Sequence, residues 1–299
     1  MQRGKLKGMF FVIISAIAFG AIAIFAKTAY SAGSDPISVL FFRFSIASVV
    51  MVPWMIARNI PFPRGRTLLG LILMGGIGYV GMSFCYFTSL TMASAGLVAI
   101  LLYLYPAIVT IFSALLFKES IRGLKVLALI LALAGTFLTI GLSGGGQPLG
   151  IALAMTAPFI YSAYILAGSK LTKQAGVLMT STVVILSASV VFGILVLIQG
   201  LYLPRTLPGW GSVVAIALGS TVIAVSTFFA GLERVGPTNA SVLSTFEPVT
   251  TVILAFLFLG EEIGPMRIFG GILILGAVIL LARSEFKKLP VEESHVNAG

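Results

Sequence analysis

The sequence predicts an all-α membrane protein with ten transmembrane helices, arranged as two inverted five-helix repeats. Three observations predict it. Hydrophobic residues fill 59% of 299 positions and charged residues only 9%, against roughly 25% charged in a soluble domain. The mean hydropathy of +1.12 belongs to a chain that meets lipid on most of its surface. Finally, the chain repeats itself at a constant offset of 142 residues: Pro106 maps to Pro248, Ile111 to Ile253, Leu115 to Leu257, Glu119 to Glu261 and Lys125 to Arg267. The same register carries Gly8 to Gly150 and Leu90 to Leu232 without a gap.

A membrane span needs about 20 apolar residues. Ten such stretches lie at 8–30, 36–57, 66–90, 94–117, 121–141, 149–169, 176–200, 208–232, 237–259 and 264–283. The connections are short and hold helix breakers: Gly33-Ser34-Asp35-Pro36, Pro61-Phe62-Pro63 and Gly236-Pro237. The run Gly144-Gly145-Gly146-Gln147-Pro148 is the expected joint between halves. It divides residues 1–143, the first repeat, from 149–284, the second, and leaves 285–299 as a polar tail. Residues 1–30 start basic and turn apolar, as a signal peptide does. The run is too long for one, and it aligns with 150–172, so it reads as the first span.

The charges set the orientation. Of the 19 Lys and Arg, fifteen fall on the side that would hold both termini. Only Lys27, Arg205 and Arg267 fall opposite, and Arg43 lies within a span. The positive-inside rule places both termini in the cytoplasm. The net charge of +10 is therefore topological, and no solvated basic face exists for nucleic acid. Five spans per repeat is odd, so the second copy enters the membrane from the other face. Inverted repeats of this kind suit carriers that alternate access.

Each repeat reads as a proline in mid-helix, an apolar run, an acid at the helix end and a glycine-rich helix. Here these are Pro106 to Glu119 with Gly123 and Gly135, and Glu247-Pro248 to Glu261 with Gly270, Gly271 and Gly276. This pattern resembles the EamA family of the drug/metabolite transporter superfamily over nearly the whole chain. The resemblance implies a ten-helix inner-membrane carrier, often an exporter of amino acids or other small metabolites. It also implies a cavity between spans 1, 3 and 4 and spans 6, 8 and 9. The first repeat departs from the pattern, with Tyr105-Pro106 where the second has Glu247-Pro248.

Few residues can carry chemistry. Glu247 sits about eleven residues into its span. A charge at that depth costs at least about 2.5–3.5 kcal/mol on insertion scales, so it should face the interior or a cavity. It would contact a substrate amine, take up a proton, or lock two helices as an ion pair. Arg43 lies within about one helical turn of the same depth. It would clamp a substrate carboxylate, or pair with Glu247 or helix-end carbonyls. Pro106 and Pro248 each free a carbonyl four residues back, at Leu102 and Ser244, and a matched pair of kinks can shape a cavity. Thr238, Ser241, Ser244, Thr245 and Thr251 form a polar stripe with Pro248; they line a path or bond back to backbone. Phe19 and Tyr161 occupy matched positions, with Tyr79, Tyr86, Tyr103, Tyr105 and Tyr164 at similar depth. Tyrosines usually sit at the interface, so these suggest a polar interior. The expected substrate contacts are Glu247, Ser244, Thr245, Tyr103, Tyr79, Arg43, Phe19 and Tyr161.

Gly75, Gly76, Gly78 and Gly81 would allow close helix contact. Glu119 with Lys118 and Arg122, and Glu261 and Glu262 with Arg267, read as end-of-helix residues. The single Cys85 and single His295 build no disulfide, zinc or haem site, and no cofactor or metal is expected. No HExxH, phosphate loop or Ser-His-Asp set is present, so an enzyme and an ATP-driven pump are both disfavoured. The expectation is a secondary carrier exporting a small organic metabolite, an amino acid first among them, with protons as a candidate partner through Glu247. The alternatives are a drug or nucleotide-sugar carrier, and a membrane assembly protein that transports nothing.

Overall fold

The computed structural model describes residues 2–89, 92–93, 95–118, 123–141, 146–259 and 264–286. Glu119, Ile121, Arg122, Gly144, Gly145, Glu261, Glu262, Ile263 and the tail from 287, with His295, lie outside the described residues, as does the side chain of Lys27.

The first repeat contains α1 (Gln2–Gly20), α2 (Ile22–Ser31), α3 (Pro36–Ala57), α4 (Gly65–Leu73), α5 (Val80–Ser89), α6 (Ala95–Leu102), α7 (Tyr105–Phe117) and α8 (Gly123–Ile140). The second contains α9 (Pro148–Ala175), α10 (Val177–Gln199), α11 (Leu207–Ala217), α12 (Ala224–Val235), α13 (Pro237–Ser244), α14 (Glu247–Leu259) and α15 (Pro265–Phe286). Several are two pieces of one span: α1–α2, α4–α5, α6–α7, α11–α12 and α13–α14. Among the described residues nine helical stretches are long and apolar enough to cross a membrane, and a tenth, Pro265–Leu281, is apolar but shorter. The ten-helix, two-repeat architecture is the one the sequence predicts.

Local chemistry explains the helix ends. Asp35 caps α3, its carboxylate accepting from the Ile37 and Ser38 amides at 3.2 Å. Thr206 caps α11, with Oγ1 accepting from the Gly209 amide at 3.2 Å. Proline occupies the first turn of α3, α9, α11 and α13, where the missing N–H would have no partner anyway. Between α9 and α10 the chain reverses on one residue, Gly176, at φ +81°, a conformation that disfavours any side chain.

The repeat is visible in the packing. α1 lies along α12, and its repeat mate α9 lies along α5; α1 meets α14 as α9 meets α7. The self-matched pairs are α3 with α10 and α8 with α15. The closest approaches use glycine. A Cβ on Gly135 in α8 would sit 2.6 Å from the Gly270 carbonyl in α15, and one on Gly231 would sit 2.7 Å from the Gly8 carbonyl. Of the third-span glycines, only Gly75 serves this end: its Cβ would stand 2.6 Å from the Val184 carbonyl. Gly76, Gly78 and Gly81 have ordinary room of 3.5 Å or more.

Two features correct the expected geometry. The prolines do not kink continuous helices. The chain breaks at Tyr103-Leu104 and again at Thr245-Phe246, and Pro106 and Pro248 stand in the first turns of α7 and α14. A proline inside a helix both lacks its N–H and clashes one turn back; restarting the helix just ahead of it removes the conflict. The second feature is a pair of π-helical segments, Met74–Tyr79 and Leu218–Ile223, inside the third and eighth spans.

Candidate functional site

Both chain breaks and both π segments converge on one interior region. At the α13–α14 break stands Glu247. Protein atoms surround it at depth, yet its side chain keeps partial exposure. The Tyr103 hydroxyl, at the matched break between α6 and α7, hydrogen-bonds its carboxylate. Phe19 and Tyr161, equivalent in the two repeats, are also half-buried.

The wall of this region is aromatic. Ring centroids run from Tyr103 to Tyr105 at 6.2 Å, Tyr105 to Tyr161 at 4.7 Å, Tyr161 to Tyr164 at 5.9 Å, and Tyr164 to Tyr79 at 5.2 Å. Phe44 continues the series edge-on to Tyr79 at 5.5 Å, and stacks on Phe192 at 5.6 Å. Five of the expected tyrosines, Tyr79, Tyr103, Tyr105, Tyr161 and Tyr164, are thus brought together. Tyr105 is the repeat counterpart of Glu247; its hydroxyl donates to the Ser241 carbonyl at 3.4 Å.

Arg43 closes the other end, 4% exposed. Its Nε donates to Thr221 Oγ1 at 2.7 Å. Its Nη2 donates to the Tyr79 hydroxyl at 3.0 Å and to the Ser220 carbonyl at 3.3 Å. The guanidinium carbon lies 4.9 Å over the Phe44 ring, a cation–π contact. Nη1 makes no hydrogen bond among the described residues. Arg43 and Glu247 form no ion pair with each other. The expected helix-locking pair between them is therefore not made, and Arg43 is held by hydroxyls and one carbonyl instead. An acid and an arginine thus stand in the interior of the bundle without pairing, where ionisable groups are rare and costly.

Two other expected contacts are placed differently. Ser244 and Thr245 are buried, and their hydroxyls donate to the Ala240 and Val242 carbonyls at 2.9 and 2.7 Å. Ser241 does the same to Thr238 at 2.9 Å, and Thr251 donates to the Gly20 carbonyl of α1 at 3.0 Å. This stripe satisfies backbone and joins helices, as hydroxyls in membrane helices do. Thr221 and Ser220 were not anticipated. The signal was there in the offset of 142, which maps Tyr79 onto Thr221. A groove of about 280 Å³ elsewhere, lined by Phe117, Ser169, Lys170, Lys173, Leu232, Gly236 and Pro237, includes none of the expected contacts.

A bundle of apolar helices in two repeated halves, with an acid and an arginine in its interior, is the architecture of a membrane transport protein. The EamA-like transporter family matches the chain twice, at residues 6–141 and 148–283. The chain belongs to that family. Its relatives include the aromatic amino acid exporter YddG of Ancylobacter novellus, 28% identical over 89% of this chain and 97% of the relative. The uncharacterized transporter YcbK of Bacillus subtilis is 26% identical over 96% and 95%. The threonine/homoserine exporter RhtA of Escherichia coli K12 is 25% identical over 90% and 88%. A solved crystal structure shares the fold, with a TM-score of 0.78 and 22% identity over 94% of this chain and 99% of its own.

Proposed function

We propose that this transporter is a secondary carrier of the cell's inner membrane that moves a small organic metabolite, an amino acid, outward by alternating access between its repeats. The observation that carries the reading is the separation of Glu247 from Arg43. An amino acid has a cation and an anion a few atoms apart. A site with a carboxylate at one end, a guanidinium with free donors at the other and aromatic walls between complements it. Glu247 with Tyr103 would receive the amine, and Arg43 with Tyr79 the carboxylate. Phe19 and Tyr161 would flank the side chain. Ser244 and Thr245 would contribute through the carbonyls and helix ends they organise. Two relatives carry the names of amino acid exporters, which supports the substrate class and the direction. The excess of Lys and Arg on the terminal side supports cytoplasmic termini. The division into repeats at 143–149 follows from the same reading, with 285–299 as a cytoplasmic tail.

The test is uptake by purified protein in liposomes, using a panel of labelled amino acids with and without a pH gradient, for wild type and Glu247→Gln. Uptake of an amino acid that the gradient drives only in wild type makes Glu247 the coupling site. Uptake indifferent to both gradient and mutation makes the protein a facilitator with a structural Glu247. Transport of none of the panel overturns the amino acid assignment.

A further inference from the structure

We propose that Thr221 is a positioning residue that, with Tyr79, aims the free Nη1 edge of Arg43 at the carboxylate of the transported solute. The proposal rests on the reading of Arg43 given above and adds the device that orients it.

Thr221 lies in the second π segment, and Tyr79 closes the first. The two residues are repeat equivalents at offset 142, and their oxygens accept from the same guanidinium at 2.7 and 3.0 Å. The Thr221 hydroxyl donates its one proton to the Ile216 carbonyl at 2.9 Å, five residues back. A π turn makes that spacing natural, since its bonds run from i+5 to i. With its proton committed there, Oγ1 can only accept on the Arg43 side. Thr221 is fully buried, so the orientation is held in a dry setting where such a bond is strong.

The geometry determines what remains free. The guanidinium has five N–H donors in a fixed fork. Nε and Nη2 face the two π segments, and Phe44 covers one face. Nη1 is left, and its direction follows because the fork is planar and rigid. Two π segments, one from each repeat, grip one side chain.

The test uses full-length protein and three variants, Thr221→Val, Thr221→Ser and Arg43→Gln. The probes are L-phenylalanine and phenethylamine, which lacks the carboxylate. Thr221→Val keeps shape and removes the acceptor. It is expected to weaken L-phenylalanine binding roughly ten- to hundredfold, as loss of a bond to a charged group does, and to leave phenethylamine unchanged. Thr221→Ser is expected to restore the wild-type values, and Arg43→Gln to reproduce the loss. The Arg43 Nε resonance in ¹⁵N spectra, assigned by its absence in Arg43→Gln, gives a readout independent of any solute. Its hydrogen is expected to exchange slowly in wild type and fast in Thr221→Val. Equal losses for both probes, or an Nε signal that the valine variant does not change, overturn the proposal. If wild type binds neither probe, the amino acid reading fails by itself, and the Nε signal still decides the role of Thr221.

Discussion

Glu247 and Arg43 are ionisable groups placed where a charge costs several kcal/mol, and each has neutral hydroxyls as partners. Tyrosine suits this role in a membrane because its ring satisfies the apolar surroundings and its hydroxyl satisfies the charge. Tyr103 makes one hydrogen bond to Glu247. Tyr103→Phe keeps the ring in the aromatic series and removes that bond. The expected effect is a roughly three- to tenfold weaker apparent affinity for amine-bearing solutes, the size of one lost hydrogen bond, with 3-phenylpropionate inhibition unchanged. The concentration dependence of uptake checks it; a loss shared by both classes of probe would show that Tyr103 serves packing alone. At this scale much was legible from sequence. A lone acid, a lone arginine and several tyrosines at mid-span stand out against an apolar background. Thr221 did not stand out, because a threonine in a membrane helix is ordinary; only its register against Tyr79 distinguishes it. Thr245 stood out and proved to be bonded to its own helix, since nothing in a helical wheel shows whether a hydroxyl turns outward or back.

Helices in lipid gain nothing from burying apolar surface against one another, so contact depends on close backbone approach. The pairing of α8 with α15 is the clearest case. Gly135 and Gly270 meet carbonyl to Cα, and a Cβ on Gly270 would sit 2.6 Å from the Gly135 carbonyl and from the Thr139 amide. Gly276, two turns along the same α15, has open space around it. Gly270→Ala is expected to destabilise by roughly 1–3 kcal/mol through forced separation of the helices. Gly276→Ala is expected to be neutral or stabilising by up to about 1 kcal/mol, the helix-propensity gain. Thermal unfolding of the two variants in the same detergent compares them directly; similar melting temperatures would show that α8 and α15 are free to part. The spans themselves were readable from hydropathy, and the breakers between them from Gly and Pro. The helix breaks at Tyr103-Leu104 and Thr245-Phe246 were foreseen only as kinks, since proline announces a disruption without saying whether the helix bends or restarts. The π segments left no trace: an extra residue per turn is a property of backbone register, and the glycine run of the first segment has no match in the second.

The two repeats are equivalent in sequence register and unequal in conformation. α13 is buried along its whole length, from Pro237 to Ser244, and it packs on α7 and α9 as well as α1 and α12. Its repeat mate α6 has one buried residue among those described, Val98, and no contact of similar extent joins it to α14 or α1. Among the described residues, α13 is thus the more enclosed of the two helices and α6 the less. Ser34 Oγ donates to the Tyr202 carbonyl at 2.7 Å, and the Tyr202 and Arg205 amides donate to Ser38 Oγ at 2.9 Å and the Ala32 carbonyl at 2.8 Å. These bonds tie the α2–α3 and α10–α11 loops to each other. In the proposed cycle, the opposite state would swap the two environments, with α6 sealed and α13 released. Cysteines at equivalent positions read this out. With the buried Cys85 replaced by alanine, Ala99→Cys in α6 is expected to react with a water-soluble maleimide at least about tenfold faster than Ser241→Cys in α13, because reaction requires access of the thiolate to water. A pair that labels at equal rates would mean that the enclosed state of α13 is not the resting state. A pair whose order reverses on adding a transported solute would establish that the repeats exchange roles during transport.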